Sequence, residues 1–290
     1  MAFEGFQLSQ VDVGEVRLRV RHGGTGPPLL LLHGYPETHM MWAAVADDLA
    51  RDFTVIAPDL RGYGKSSAPA DTDDHSSYSK RAMAGDAIAL MRHFGFERFD
   101  LAGHDRGGRV AYRLALDHPQ AVRRMTILDI IPTGEVWARA DRRFALAYWH
   151  WSFLVQRGAE EIIGQDPELF FFRNQFRGSV GAFSRKAYAD YVECLKDPKA
   201  IHAACEDYRA GAGYDRKLDE EDKAASRKIA CPVQILWGGK GPLAAWYDTL
   251  AIWREWAPDV RGHAIDCGHF IPEEKPAETL AALRGFHAEG

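Results

Sequence analysis

The stretch Leu101-Ala102-Gly103-His104-Asp105-Arg106-Gly107-Gly108-Arg109 constrains this chain more than any other. It has the Gly-x-nucleophile-x-Gly form of a sharp strand-to-helix turn, which lifts one side chain above the edge of a sheet. Flanking glycines are needed because the backbone crowds itself there. The lifted residue is Asp105, where a serine commonly stands. A carboxylate in that position attacks carbon and leaves as an ester, which suits displacement at an alkyl centre rather than acyl transfer.

The pattern on either side supplies the sheet that such a turn requires. Val16 to Arg21 alternates apolar and basic residues and reads as an early strand, closed by the turn Gly23 to Pro28. Leu29-Leu30-Leu31-Leu32 is an uninterrupted apolar run of strand length, suited to a central strand covered on both faces. Thr38 can cap a helix running to about Arg51, and Thr54 to Pro58 makes another strand. A helix over Ser79 to Phe94, the strand Phe99 to Gly103, a helix from Arg106 to Asp117 and a strand from Arg124 to Ile130 continue the alternation. From Pro132 to Lys228 helical, aromatic-rich segments such as Phe144 to Val155 and Ala187 to Leu195 replace the strands. Strands return at Pro232 to Trp237 and Val260 to Ile265, separated by a helix near Ala245 to Trp256 and followed by a last helix from Pro276. The expectation is a doubly wound, mostly parallel α/β sheet formed by residues 1–131 and 229–290, with a helical cap, residues 132–228, inserted after the sixth strand. In such sheets ligands bind beyond the carboxyl ends of the strands, where His33, Asp59, Asp105 and Asp129 fall and which His269 follows.

Composition excludes several other functions. The 290 residues are 46% hydrophobic and 27% charged, enough for one large core with a smaller cap. A net charge of −5 with scattered Lys and Arg points away from nucleic acid and from membrane surfaces. Met1 to Gln10 lack a basic start and an apolar run, so a cytoplasmic protein is expected. Cys194, Cys205, Cys231 and Cys267 form no C-x-x-C pair, which disfavours a zinc site and a disulfide framework and leaves buried, reduced thiols. Asp59-Leu60-Arg61-Gly62-Tyr63-Gly64-Lys65-Ser66 is glycine-rich but lacks the spacing of a phosphate loop.

Asp105, Asp129 and His269 stand in the order nucleophile, acid, histidine. A histidine paired with a carboxylate can pull a proton from water. The stretch Trp237 to Pro242 offers no carboxylate, so Asp129 is the natural orienter of His269. His33-Gly34-Tyr35-Pro36 should supply the Tyr35 backbone N–H that, with the N–H of Arg106, forms an oxyanion hole for attack of water on the Asp105 ester. Arg106 and Arg109 lie three apart at the start of a helix and share its face. Guanidinium groups match carboxylate geometry, and a substrate carboxylate would otherwise meet repulsion from Asp105 of about 4 kcal/mol at about 4 Å for an effective dielectric of about 20. A surface pair serving solubility is the plainer account of the two arginines. In the cap, His150, Trp151 and Tyr208 carry N–H and O–H donors that could converge on a leaving anion, although His150 and Trp151 taken alone read as aromatic packing.

Together, His33-Gly34-Tyr35-Pro36, the stretch Asp59 to Gly64, the elbow Gly103 to Arg109, Leu128-Asp129-Ile130, Tyr148 to Phe153, Cys205 to Ala212 and Gly268-His269-Phe270 closely resemble the fluoroacetate dehalogenases of the α/β-hydrolase superfamily. The resemblance covers nearly the whole chain. It implies that Arg106 and Arg109 hold a substrate carboxylate, that His150, Trp151 and Tyr208 form a halide pocket, and that the protein is a homodimer needing no metal or organic cofactor. The expected reaction is hydrolysis of a haloacetate to glycolate and halide through an ester on Asp105, with a small halocarboxylate as the only expected partner besides a second copy. One alternative is an epoxide hydrolase using the same three residues, with Tyr208 and Tyr148 or Tyr214 polarising the epoxide oxygen. Another is a catalytically silent receptor of the same fold, which predicts a damaged triad.

Overall fold

The computed structural model describes residues 3–289. Its centre is an eight-stranded sheet of order β1-β2-β4-β3-β5-β6-β7-β8, with β1 Gln7–Asp12, β2 Arg17–Gly23, β3 Pro28–Leu32, β4 Thr54–Pro58, β5 Phe99–His104, β6 Val122–Leu128, β7 Val233–Gly238 and β8 Val260–Ile265. The pairs β1/β2 and β2/β4 are antiparallel, and all others are parallel. Every residue of β3 is buried, as its unbroken apolar run requires for a strand covered on both faces. The register pairs Leu32 with Gly103, His104 with Leu128 and Gly238 with Ile265, so the carboxyl ends of β3, β5, β6 and β7 finish at one level.

Between β6 and β7 the chain is helical, from Thr133–Ala138 to Tyr214–Ala224, and forms the cap expected after the sixth strand. The helix Lys80–His93 begins at its Ser79 cap, whose side chain accepts the N–H of Ala82. All four cysteines are free and buried, and burial pushes each thiol up to about 12. Among the described residues no helix is long and apolar enough to cross a membrane.

Four local expectations are corrected. Strand β1 was not foreseen because only Val11 of its six residues is buried, so it carries almost no apolar signal and depends on its pairing with β2. Thr38 does cap a helix, accepting the N–H of Met40, but the turn it starts is 3₁₀ and ends at Trp42, with a separate helix at Ala46–Leu49. There His39 donates its backbone N–H (2.9 Å) and points its ring Nδ1 (2.7 Å) to Asp59, a tertiary partner invisible to local periodicity. The segment Phe144 to Val155 is divided at Tyr148 into Arg142–Ala147 and Trp149–Phe153. Ala245 to Trp256 likewise divides into Pro242–Trp246 and Thr249–Arg254, the second capped by Asp248.

The elbow leaves no room for side chains at its glycines. A Cβ on Gly107 would stand 2.4 Å from the carbonyl oxygen of His33 and 2.5 Å from that of Leu32. Both obstacles are backbone of the central strand and the loop leaving it. Gly107→Ala is therefore expected to destabilise the protein by about 3 kcal/mol, read as a lower urea midpoint with an unchanged slope.

Candidate active site

Asp105 opens the helix Asp105–Asp117 with a φ of 44°, a left-handed conformation that non-glycine residues seldom adopt. The crowding that enforces it also brings the next loop close. A Cβ on Gly34 would stand 2.8 Å from Cβ of Asp105, and this approach sets the backbone N–H of Tyr35 3.1 Å from Asp105 Oδ2. His33 locks that loop. Its Nδ1 donates to the Gly34 carbonyl (2.8 Å) and its Nε2 accepts from Leu60 N–H (2.9 Å), while burial lowers its pKa and keeps it neutral.

Asp129, just past β6, also has positive φ, 54°. Its Oδ2 lies 2.6 Å from Nδ1 of His269 and its Oδ1 accepts the N–H of Gly238 at 2.8 Å. The acid is thus held from β7 although β7 contributes no carboxylate. With Nδ1–H directed at Asp129, Nε2 of His269 is the free nitrogen. Burial disfavours the imidazolium, but the Asp129 hydrogen bond and charge and the Asp105 charge outweigh it and raise His269 to about 9. Burial likewise opposes ionisation of Asp105, yet His269, Arg109, Arg106 and His104 together hold its carboxyl below the ordinary value.

These groups open on one cavity of about 220 Å³, lined by Tyr35, Asp105, Arg109, Asp129, His150, Trp151, Tyr208 and His269 among others. A larger surface hollow of about 670 Å³ lies at the opposite ends of the strands, between arginines and acids, and contains none of these groups. His150 and Tyr208 have ring centroids 5.7 Å apart, and Trp151 and Tyr208 5.8 Å apart. Burial lowers His150 to about 3, so it is a neutral ring. Burial and the Asp105 charge raise the Tyr208 hydroxyl well above its ordinary value, which keeps it a donor.

The two arginines differ. Arg109 lines the cavity, with Cζ 4.7 Å from the Trp151 ring, and its NH1 donates to the Ile131 carbonyl and to Thr133 Oγ1, each at 3.1 Å. Its Nε is buried without a partner, and among the described residues no carboxylate forms a salt bridge with it. Burial and the nearby Arg106 lower its pKa. It is a buried cation in the cavity that no carboxylate of the described residues pairs with directly.

Arg106 does not line that cavity. Its Nε and NH2 donate to the Asp207 carboxylate at 2.8 and 2.7 Å, leaving NH1 buried and unpartnered, and its Cζ lies 4.2 Å over the Tyr208 ring. Asp207 also receives the Lys80 ammonium and the Tyr63 hydroxyl, the latter at 2.7 Å. The sequence reading passed over Asp207, which adjoins Tyr208 in the helix Pro198–Ala212 and ties the cap to the elbow helix. It also passed over Gln175, Glu37 and His104. The only available signal was the improbability of a buried arginine or lysine without an acid.

A nucleophilic carboxylate, a histidine with an oriented free nitrogen, an N–H at the nucleophile and a group of unspent donors can together form and hydrolyse an ester. With the sheet order, this arrangement defines an α/β hydrolase. Residues 27–276 match the α/β hydrolase fold family, and the chain belongs to it. It is 45% identical over 289 residues to a fluoroacetate dehalogenase of Burkholderia sp, covering 98% of this chain and 94% of that protein. It is 36% identical to a soluble epoxide hydrolase of Corynebacterium sp. (strain C12), covering 96% of each chain. A crystal structure from Nostoc sp PCC 7120 superimposes with a TM-score of 0.96 at 48% identity, covering 99% of this chain and 100% of that one.

The Asp129 charge supports the high pKa of His269, so its removal has a signed consequence. The base form of His269 is the unprotonated one. Asp129→Asn is expected to shift the acid limb of the kcat–pH profile to lower pH and, by loosening the imidazole, to lower kcat by about 10³-fold.

Proposed function

We propose that the chain hydrolyses haloacetates such as fluoroacetate and chloroacetate to glycolate and halide through an ester on Asp105. The observation that carries this reading is Arg109, a buried guanidinium that no carboxylate of the described residues bridges, in a cavity shared with Asp105. A halocarboxylate supplies the missing anion and places its alpha carbon beside Asp105. The free NH1 of Arg106 can add a second contact, while Asp207 holds the rest of that guanidinium.

Asp105 attacks the alpha carbon and the carbon–halogen bond breaks, its electron pair leaving with the halide. His150, Trp151 and Tyr208 donate hydrogen bonds to the departing anion. Neutrality of His150 suits this role because a neutral donor does not trap the product halide as an ion pair. Ester formation also removes the negative charge of Asp105, one of the three, with Asp129 and Glu37, that hold His269 at about 9. The His269 pKa falls as a base becomes necessary. His269, oriented by Asp129, then takes a proton from water, which attacks the ester carbonyl while Tyr35 N–H and Arg106 N–H stabilise the oxyanion.

Tyr148 lines the cavity beside Tyr208, the pairing that epoxide opening would use. A neutral epoxide would leave Arg109 without an anion in the bound state, so the dehalogenase reading is favoured. A silent receptor would have no need for the 2.6 Å contact between Asp129 and His269. We further infer a homodimer from the family resemblance and a cytoplasmic location from the sequence pattern.

Asp105→Asn is expected to abolish halide release from chloroacetate and fluoroacetate. His269→Ala, incubated with chloroacetate, should accumulate a carboxymethyl ester visible by intact mass, and an inactive yet unmodified protein would place the defect before displacement. Arg109→Leu should lower kcat/KM for haloacetates by about 10²-fold or more and spare neutral haloalkanes and epoxides. Equal losses across these substrates would remove the docking role.

A further inference from the structure

A buried polar cluster behind the nucleophile takes no part in the reaction above. His104, the residue before Asp105, is fully buried, with Nδ1 3.0 Å from Glu37 Oε2 and Nε2 2.9 Å from the carbonyl oxygen of His269. Glu37 lies two residues beyond Tyr35, on the loop whose N–H meets Asp105. Its carboxyl neighbours that of Glu273 and acts on it electrostatically. Glu273 sits in the short helix Ile271–Glu274 that directly follows His269. The cluster takes one side chain from each of the three segments carrying Tyr35, Asp105 and His269.

Counting hydrogens defines its state. Ionised carboxylates only accept. Glu37 Oε2 has His104, and Glu273 Oε1 accepts the Tyr191 hydroxyl at 3.1 Å. Glu37 Oε1 and Glu273 Oε2 are both buried and have no hydrogen-bond partner among the described residues. Two facing carboxylates would repel across those orphan oxygens, whereas one proton between them satisfies both. Burial and the Glu37 charge raise the Glu273 carboxyl well above its ordinary value. The other ionisable groups around it are Tyr191 and the nearby Asp190 from the cap, His104 from the elbow, His269, and Glu274 on its own helix. Glu274 is occupied by the N–H groups of Gly268 (2.7 Å) and Phe270 (3.0 Å).

We propose that Glu37 and Glu273 share one proton, and that Glu273 is a positioning residue which, through Glu37 and His104, fixes His269 against Asp105. A carbonyl accepts only, so Nε2 of His104 carries a hydrogen toward His269. With the shared proton on Glu273, Glu37 Oε2 takes a second hydrogen from Nδ1. His104 is also among the groups that hold the Asp105 carboxyl below its ordinary value. Glu273 also borders a surface hollow of about 230 Å³ beside Met40, Met41 and Ser184, a route for exchanging the proton with solvent. Losing it at high pH sets two carboxylates against each other and pushes the three segments apart.

The kinetic part of the test rests on the haloacetate reading, and the spectroscopic part does not. Infrared spectra of the full-length protein near neutral pH should contain a protonated-carboxyl stretch that disappears in Glu273→Gln. Its absence from the wild type would overturn the proposal. With chloroacetate, the wild type should lose kcat on the alkaline side. Glu273→Gln retains an N–H donor for Glu37 without a titratable proton, and should move that limb up by at least about one pH unit, tenfold in proton activity, with little change in KM. An unmoved limb also overturns it. Should the glutamine variant fail to fold, Tyr191→Phe removes a hydrogen bond that favours ionised Glu273, so the limb should again move up and an unmoved limb counts equally against the proposal. A protein inactive on every haloacetate would fail the functional reading and leave the infrared result to decide this one.

Discussion

The close backbone crossing at the elbow is the constraint on which the site depends. Gly103, Gly107 and Gly34 let β5, the following helix and the loop after β3 approach within distances that no Cβ could share. That contact forces Asp105 to a positive φ and sets the Tyr35 N–H against its carboxylate. The placement of the Asp105 carboxylate and of the Tyr35 N–H therefore follows from one steric fact. Asp129 and His269 join them because parallel register ends β6, β7 and β8 at the same level.

Electrostatics explain how a buried carboxylate remains ionised there. Asp105 has little water to solvate it, so its charge depends on His269, Arg109, Arg106 and His104. The buried arginines need their own anions. Arg106 takes Asp207 from the cap, and Asp207 is shared with Lys80 on the core helix Lys80–His93. The cap thus closes the cavity and also supplies the charge that makes burial of Arg106 tolerable. Arg109 is left in the cavity without a carboxylate salt bridge among the described residues, the feature on which the proposed halocarboxylate site rests.

Much of this was legible in residue order. The apolar run of β3, the strand and helix around Asp105, the position of the cap and the triad order all follow from local patterns with strong physical causes. Strand β1 was not legible, since an exposed edge strand with a single buried residue lacks periodicity. The division of the chain at Tyr148 was not legible either, because tertiary contacts decide where a weak helix stops. The roles of Asp207, Glu37 and Glu273 escaped for the same reason. Each carboxylate is distant in sequence from the group it serves, 101 residues for Arg106 and Asp207 and 67 for His104 and Glu37.

The amino-acid sequence by itself determined the fold class, the aspartate at the elbow and the histidine and acid that follow it, because close backbone approach and apolar periodicity are local demands on residue type. Tertiary structure alone decided which arginine stays free. Arg106 and Arg109 are equivalent as letters, and only the arrival of Asp207 at one of them leaves the other as the unpaired cation in the cavity. Buried charge obeys pairing in space, and spacing along the chain does not encode it.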